Sequence, residues 1–111
     1  MTTDEIRDEL ARRAGWVKHL NHWHPDNVEG MEAVRNDWHA HPYPPTLDGA
    51  NAAVPEGWRW GRSVTLEEWT GYDRQGEQRV GFIPDTGDPV HDLYALALAC
   101  VRAKENSNGK T

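Results

Sequence analysis

Apolar residues near the start of the chain recur at helical spacing. Ile6, Leu10, Ala11 and Ala14 form one stripe behind Thr2-x-x-Glu5, a capping box whose hydroxyl and carboxylate satisfy the first free N–H groups of a helix. Gly15 is the natural left-handed residue beyond its end, so the pattern predicts a helix over about residues 3–14. Trp16 and Val17 then pack or open a short strand, and Lys18 to Asn27 carries no clear period. Asp26 or Asn27 is placed to cap a second helix across Val28 to His39, with Met31, Val34 and Trp38 as its apolar edge and Gly30 weakening it. Between Pro42 and Gly57 the residues Pro42, Pro44, Pro45, Gly49 and Pro55 predict a long irregular connection over the surface.

From Trp58 onward the period changes to that of a strand. Trp58 and Trp60 fall on one face with Arg59 on the other, and the extended sense continues past a bulge at Gly61, through Val64 and Leu66, to Tyr72. Asp73 to Glu77 is turn chemistry, with Gly76 available for positive φ. Gln78 to Ile83 returns as a second strand with Val80 and Phe82 on one face, and Pro84 ends it.

The helix that follows has the clearest boundary in the chain. Asp88 is the N-cap, Pro89 sits where its missing N–H costs nothing, and Asp92 favours the helix dipole. Val90, Leu93, Ala97, Cys100 and Val101 form its buried face, widened by Leu96. The run from Tyr94 to Ala99 is apolar almost all round, so more than one side should be covered. Arg102 and Lys104 suit the last turns, and residues 105–111 read as a polar tail to a single domain over 1–104. The expected class is α+β, two or three helices packed on a small antiparallel β-sheet built around a β-hairpin.

Composition narrows the function without naming it. Six Trp and a strongly apolar helix argue against disorder. No stretch approaches the ~20 apolar residues of a membrane span, and Met-Thr-Thr-Asp-Glu lacks the basic and apolar regions of a signal peptide, so a cytoplasmic location is the default expectation. The single Cys100 allows no internal disulfide and falls on the apolar face of a helix, as a small core residue would. The net charge of −6 is uneven: residues 1–57 hold 5 Lys and Arg against 10 Asp and Glu, whereas the remainder hold 7 against 8. An acidic first half disfavours direct nucleic-acid binding and suits a basic protein partner.

Two clusters carry candidate chemistry. His22-Trp23-His24-Pro25 and His39-Ala40-His41-Pro42 echo each other, and a residue before proline is pushed into extended backbone. Each pair would then project to one side of its segment, so His22, His24, His39 and His41, with His19 in reserve, form a candidate tetrahedral zinc site clipping the two ends of the second helix. The competing reading is that these are ordinary hydrogen-bonding aromatics beside Trp23, Trp38 and Tyr43. It leads, because structural zinc sites more typically contain Cys. The second cluster is Trp58, Arg59, Trp60, Arg62 and Trp69, a candidate interaction surface, since Trp is enriched in binding hot spots and Arg stacks on it. In a small domain, indoles more often fill the space between sheet and helices.

Other motifs are weaker. Asp85-Thr86-Gly87 matches the catalytic triplet of an aspartic protease half, but Pro84 before it and a capped helix after it make Asp85 a turn residue. Ser63, Thr65 and Cys100 are nucleophiles by type only, and no Gly-rich phosphate loop is present.

The two ends of the chain carry a resemblance. Gly15-Trp16 after the first helix, and Pro89 ahead of Asp92-Leu93 with Ala95 and Leu96 at the last helix, resemble small phage- or prophage-encoded α-β-α sandwich domains of uncharacterised function. The resemblance leaves residues 26–57 unmatched and implies a small accessory protein of a bacterial cytoplasm. The leading expectation is therefore a non-catalytic module that binds an unidentified protein through an acidic, Trp-bearing surface. Zinc binding through the His-x-His-Pro pairs is the alternative, and an enzyme with an unrecognised site ranks third. The zinc alternative requires stoichiometric metal in untagged protein and a melting temperature that falls on chelation in the wild type but not in His22→Ala or His41→Ala.

Overall fold

The computed structural model describes residues 1–19, 22–25 and 41–108. The expected second helix over 28–39 and His39 lie outside the described residues. In chain order the elements are α1 (Thr3–Arg13), β1 (Trp16–His19), β2 (His22–Pro25), α2 (Leu47–Ala53), β3 (Arg59–Ser63), β4 (Glu68–Tyr72), β5 (Gln78–Pro84) and α3 (Pro89–Asn108). The class is α+β: β1 and β2 form a two-stranded antiparallel sheet, and β3-β4-β5 form a three-stranded antiparallel meander.

The predicted caps form as read. Thr2 Oγ1 accepts from the Glu5 N–H at 3.2 Å, and the Glu5 carboxylate accepts from the Thr2 N–H at 2.9 Å. Gly15 closes the end of α1 at φ 88°. At α3, Asp88 Oδ1 accepts from the His91 N–H at 3.3 Å, while buried Asp92 takes both the Thr86 N–H (3.0 Å) and the Thr86 hydroxyl (2.6 Å). Asp92 thereby ties the β5–α3 connection down as well as favouring the dipole.

Helix α3 is the centre of the core. Leu93, Tyr94, Leu96, Ala97, Leu98 and Cys100 are all buried, against Ile6 and Leu10 of α1, Ala50 and Ala53 of α2, and Trp69 and Val80 of the sheet. Three expectations need correction. The stretch 58–72 is two strands rather than one. Residues 64–67 turn, with the Ser63 hydroxyl accepting from the Leu66 N–H and Glu67 at φ 52°, which leaves Val64 75% and Leu66 69% exposed. The length was a signal, since strands usually run about 5–6 residues. The supposed irregular connection contains α2, whose N-cap Thr46 accepts from the Gly49 N–H at 3.0 Å. Its Gly49, Ala50 and Ala53 lack the large apolar side chains that advertise a helix, but their smallness lets α2 approach α3 closely. Finally, α3 runs on to Asn108, so Arg102 and Lys104 fall short of its last turn.

The close approach of sheet and helix rests on Gly71. A Cβ there would lie 2.7 Å from Cys100 Sγ and 3.2 Å from Val80 Cβ. Gly71→Ala should lower unfolding free energy by about 1–3 kcal/mol through overpacking. Adding Cys100→Ala should recover part of that loss in urea denaturation. An undiminished Gly71→Ala midpoint would contradict the packing described.

Candidate functional site

Residues directly opposite in antiparallel strands share a face, so the pairings Trp60 with Gly71 and Arg62 with Trp69 put all four on the side that faces α3. Helix α3 lies over β4 and β5, and β3 extends beyond it. Trp69, 2% exposed, is therefore covered on its open flank by side chains of β3. The Arg62 guanidinium lies 5.1 Å from the Trp69 ring centroid, and the Trp60 ring centroid is 5.3 Å from it at a tilt of 41°. Both contacts are in the range where indole faces attract cations and other rings.

Each covering group is held from a second side. Trp60 donates its indole N–H to Asn51 Oδ1 of α2 at 2.9 Å and remains 38% exposed. Arg62 donates through Nε (2.8 Å) and Nη2 (2.6 Å) to Asp85 Oδ2. The Asp85 carboxyl is held below its ordinary range first by the Gly87 N–H and then by Arg62, which makes it a turn residue as read from the sequence. Val64, Glu67, Thr86 and Gly87 join Arg62 and Asp85 around an open depression of about 370 Å³ at this end of the sheet.

The predicted Trp and Arg cluster thus divides. Trp60, Arg62 and Trp69 come together; Trp58 is half-buried against the core, and Arg59 projects from the opposite face, paired in register with Tyr72. Exposed Val64 and Leu66 are surface residues that the sequence pattern assigned to a strand. Among the described residues, the buried Trp69 indole N–H has no hydrogen-bond partner.

The histidines present a different picture. His24 sits in β2, 5% exposed, with Nδ1 donating to the Pro25 carbonyl at 2.8 Å. His41 Nδ1 accepts from the Tyr43 N–H at 3.0 Å, so Nε2 carries the proton and donates to Asp8 Oδ1 at 2.9 Å. With both nitrogens committed, His41 presents no lone pair to a metal. Its ring lies 4.8 Å from that of buried Trp23, which Arg12 covers from another side at 5.8 Å. His41 is a clamp: with Arg7 Nε donating to the Tyr43 carbonyl at 2.7 Å, it fastens residues 41–43 to α1. His22 lies two residues before His24 in β2, and among the described residues no group of three His, Cys, Asp or Glu is arranged to hold a metal ion.

A second cavity of about 360 Å³ opens between α1, α2 and the far end of α3, with Leu10, Tyr43, Val54 and Val101 as its apolar floor. At its rim Arg13 is paired with Glu9 and Glu105. Cys100 offers no nucleophile: burial pushes its thiol up to about 11, so it stays protonated at neutral pH. Comparison with family models, with curated proteins and with solved structures finds no match for the chain.

The His41 clamp has a pH signature. Burial first, against the opposing pull of Asp8, lowers its pKa below the ordinary 6.5. The folded state therefore favours neutral His41, and below about 6.5 the unfolded chain binds more protons. The stability this contributes is full above that pH and is lost as pH falls through the folded pKa. Between about pH 7 and 5 the urea midpoint should fall, and His41→Gln should flatten that slope. An unchanged slope in the variant would show that other groups carry it.

Proposed function

We propose that this chain is a non-catalytic accessory module that acts by protein–protein interaction, through the Trp-bearing end of the meander sheet. One observation carries the reading. Val64 and Leu66 are 75% and 69% exposed in the β3–β4 turn, just beyond the strand that carries the 38% exposed Trp60. Full burial of an aliphatic side chain is worth about 1.5–3 kcal/mol, which a partner gains and water does not. Glu67 and Asp85 line the same depression as Val64, and Arg62 is already neutralised by Asp85. The partner that fits has apolar side chains flanked by Lys or Arg. The resemblance at Gly15-Trp16 and at Pro89, Asp92 and Leu93 supports a phage or prophage setting in a bacterial cytoplasm.

The test is a selection of displayed random peptides on the purified chain. Peptides enriched in apolar and basic residues should bind the wild type and lose at least roughly tenfold in affinity against Val64→Ser/Leu66→Ser, the loss expected when two exposed apolar contacts disappear. Thermal unfolding of the variant should stay within about 0.5 kcal/mol, because neither side chain is in the core. Equal affinity for the variant would sink the assignment of the surface.

A further inference from the structure

Resting on the reading that this end of the sheet is the binding surface, we propose that one of its occupants is a second copy of this chain, paired strand to strand along β3. Among the described residues β3 has β4 on one side and no strand on the other. Such an edge presents a row of backbone donors and acceptors to any strand that can align with it. The opposite edge of the sheet is blunted: β5 ends in Pro84, and its register with β4 shifts twice. Edge β3 has neither device. Its five residues, Arg59 to Ser63, pair with β4 in unbroken register.

The sequence of β3 is complementary to itself about Gly61. In an antiparallel pair centred there, Trp60 stands opposite Arg62 of the second copy, and Arg62 opposite its Trp60. Arg59 faces Ser63, and Gly61 faces Gly61. The Trp60–Arg62 pairs repeat, between copies, the stacking that Arg62 already makes on Trp69.

Competing registers are worse for stated reasons. A two-fold axis at Arg62 sets that residue against itself, and an axis at Arg59 does the same, so like charges lie directly opposite. An axis at Trp60 leaves both Arg62 and Ser63 without a partner inside β3. A register displaced by one residue inverts one copy, placing the two α3 helices on opposite faces of the joined sheet. Centring on Gly61 keeps both helices on one face, with the half-exposed Trp60 rings between them where α3 leaves β3 uncovered.

The experiment uses the full chain. Sedimentation equilibrium from micromolar to millimolar concentration should show a mass rising from 12.6 kDa to twice that value. Gly61→Cys is sterically mild, since a Cβ there meets only Thr70 Oγ1 at 3.5 Å and Tyr72 Cε2 at 3.8 Å. In the proposed register the two introduced thiols stand directly opposite each other, with Cβ atoms about 4.5–5.5 Å apart, close to what a disulfide spans. Under a mild oxidant Gly61→Cys should give covalent dimer at least roughly tenfold faster than Ser63→Cys, which opposes Arg59 rather than itself. Buried Cys100 does not compete. A monomeric mass at millimolar concentration, or equal cross-linking rates in the two variants, overturns the proposal. If the monomer still binds the selected peptides in a Val64- and Leu66-dependent manner, the surface reading stands without self-pairing. If a dimer cross-linked at position 61 binds no such peptide, the second copy and the peptides compete for the same surface, as the proposal requires.

Discussion

The sheet can rest on α3 only because residue 71 has no side chain. Gly71 faces Cys100 and Leu96 at a distance that leaves no room for a methyl group, and Val80 of the neighbouring strand closes in beside it. That single approach sets how deeply α3 is buried. A helix covered by the sheet, by α1 and by α2 at once must be apolar almost all round, and the run from Tyr94 to Ala99 is. A small domain has a limited core, so concentrating burial on one helix is what lets a chain of this length hold together.

Polar contacts then hold the connections to that helix rather than adding to the core. Asp92 takes both hydrogen-bond donors of Thr86, and Tyr94 donates its hydroxyl to the Pro44 carbonyl. Arg7 and the neutral His41 fasten the same neighbourhood to α1. Each of these groups is wholly or partly withdrawn from water, so losing a partner costs more than the bond itself contributes. The histidine that invites a metal-site reading is committed to this task.

Burying α3 on β4 and β5 has a consequence for the third strand. Strand β3 lies past the edge of the helix, and among the described residues Arg62 and Trp60, the latter held by Asn51 of α2, close the flank over Trp69. The molecule thus presents an indole, a turn with two exposed aliphatic side chains and a regular sheet edge at one place. Surfaces of this composition are what protein partners bury, and a strand whose residues complement themselves about a central glycine can bury them against its own copy.

The helices α1 and α3, their caps, the turn at 73–77 and the return strand were legible in the sequence, because each is specified by neighbours within a few residues: a capping box, an Asp-Pro start, a period of 3.6 or 2. Helix α2 was not, since Gly49, Ala50 and Ala53 carry no hydrophobic stripe and matter only through how near α3 they allow the backbone to come. The break in 58–72 was hidden for a related reason. Val64 and Leu66 have strand-like alternation, and only the backbone geometry at Ser63 and Glu67 points them outward. Side-chain type could nominate Trp58, Arg59, Trp60, Arg62 and Trp69 together. Their separation into core, flank and opposite face depends on where α3 crosses the sheet, and a long-range contact of that kind has no local signature. The same holds for His41: its type allows a ligand, a base or a clamp, and the positions of Asp8 and the Tyr43 N–H decide that it is a clamp.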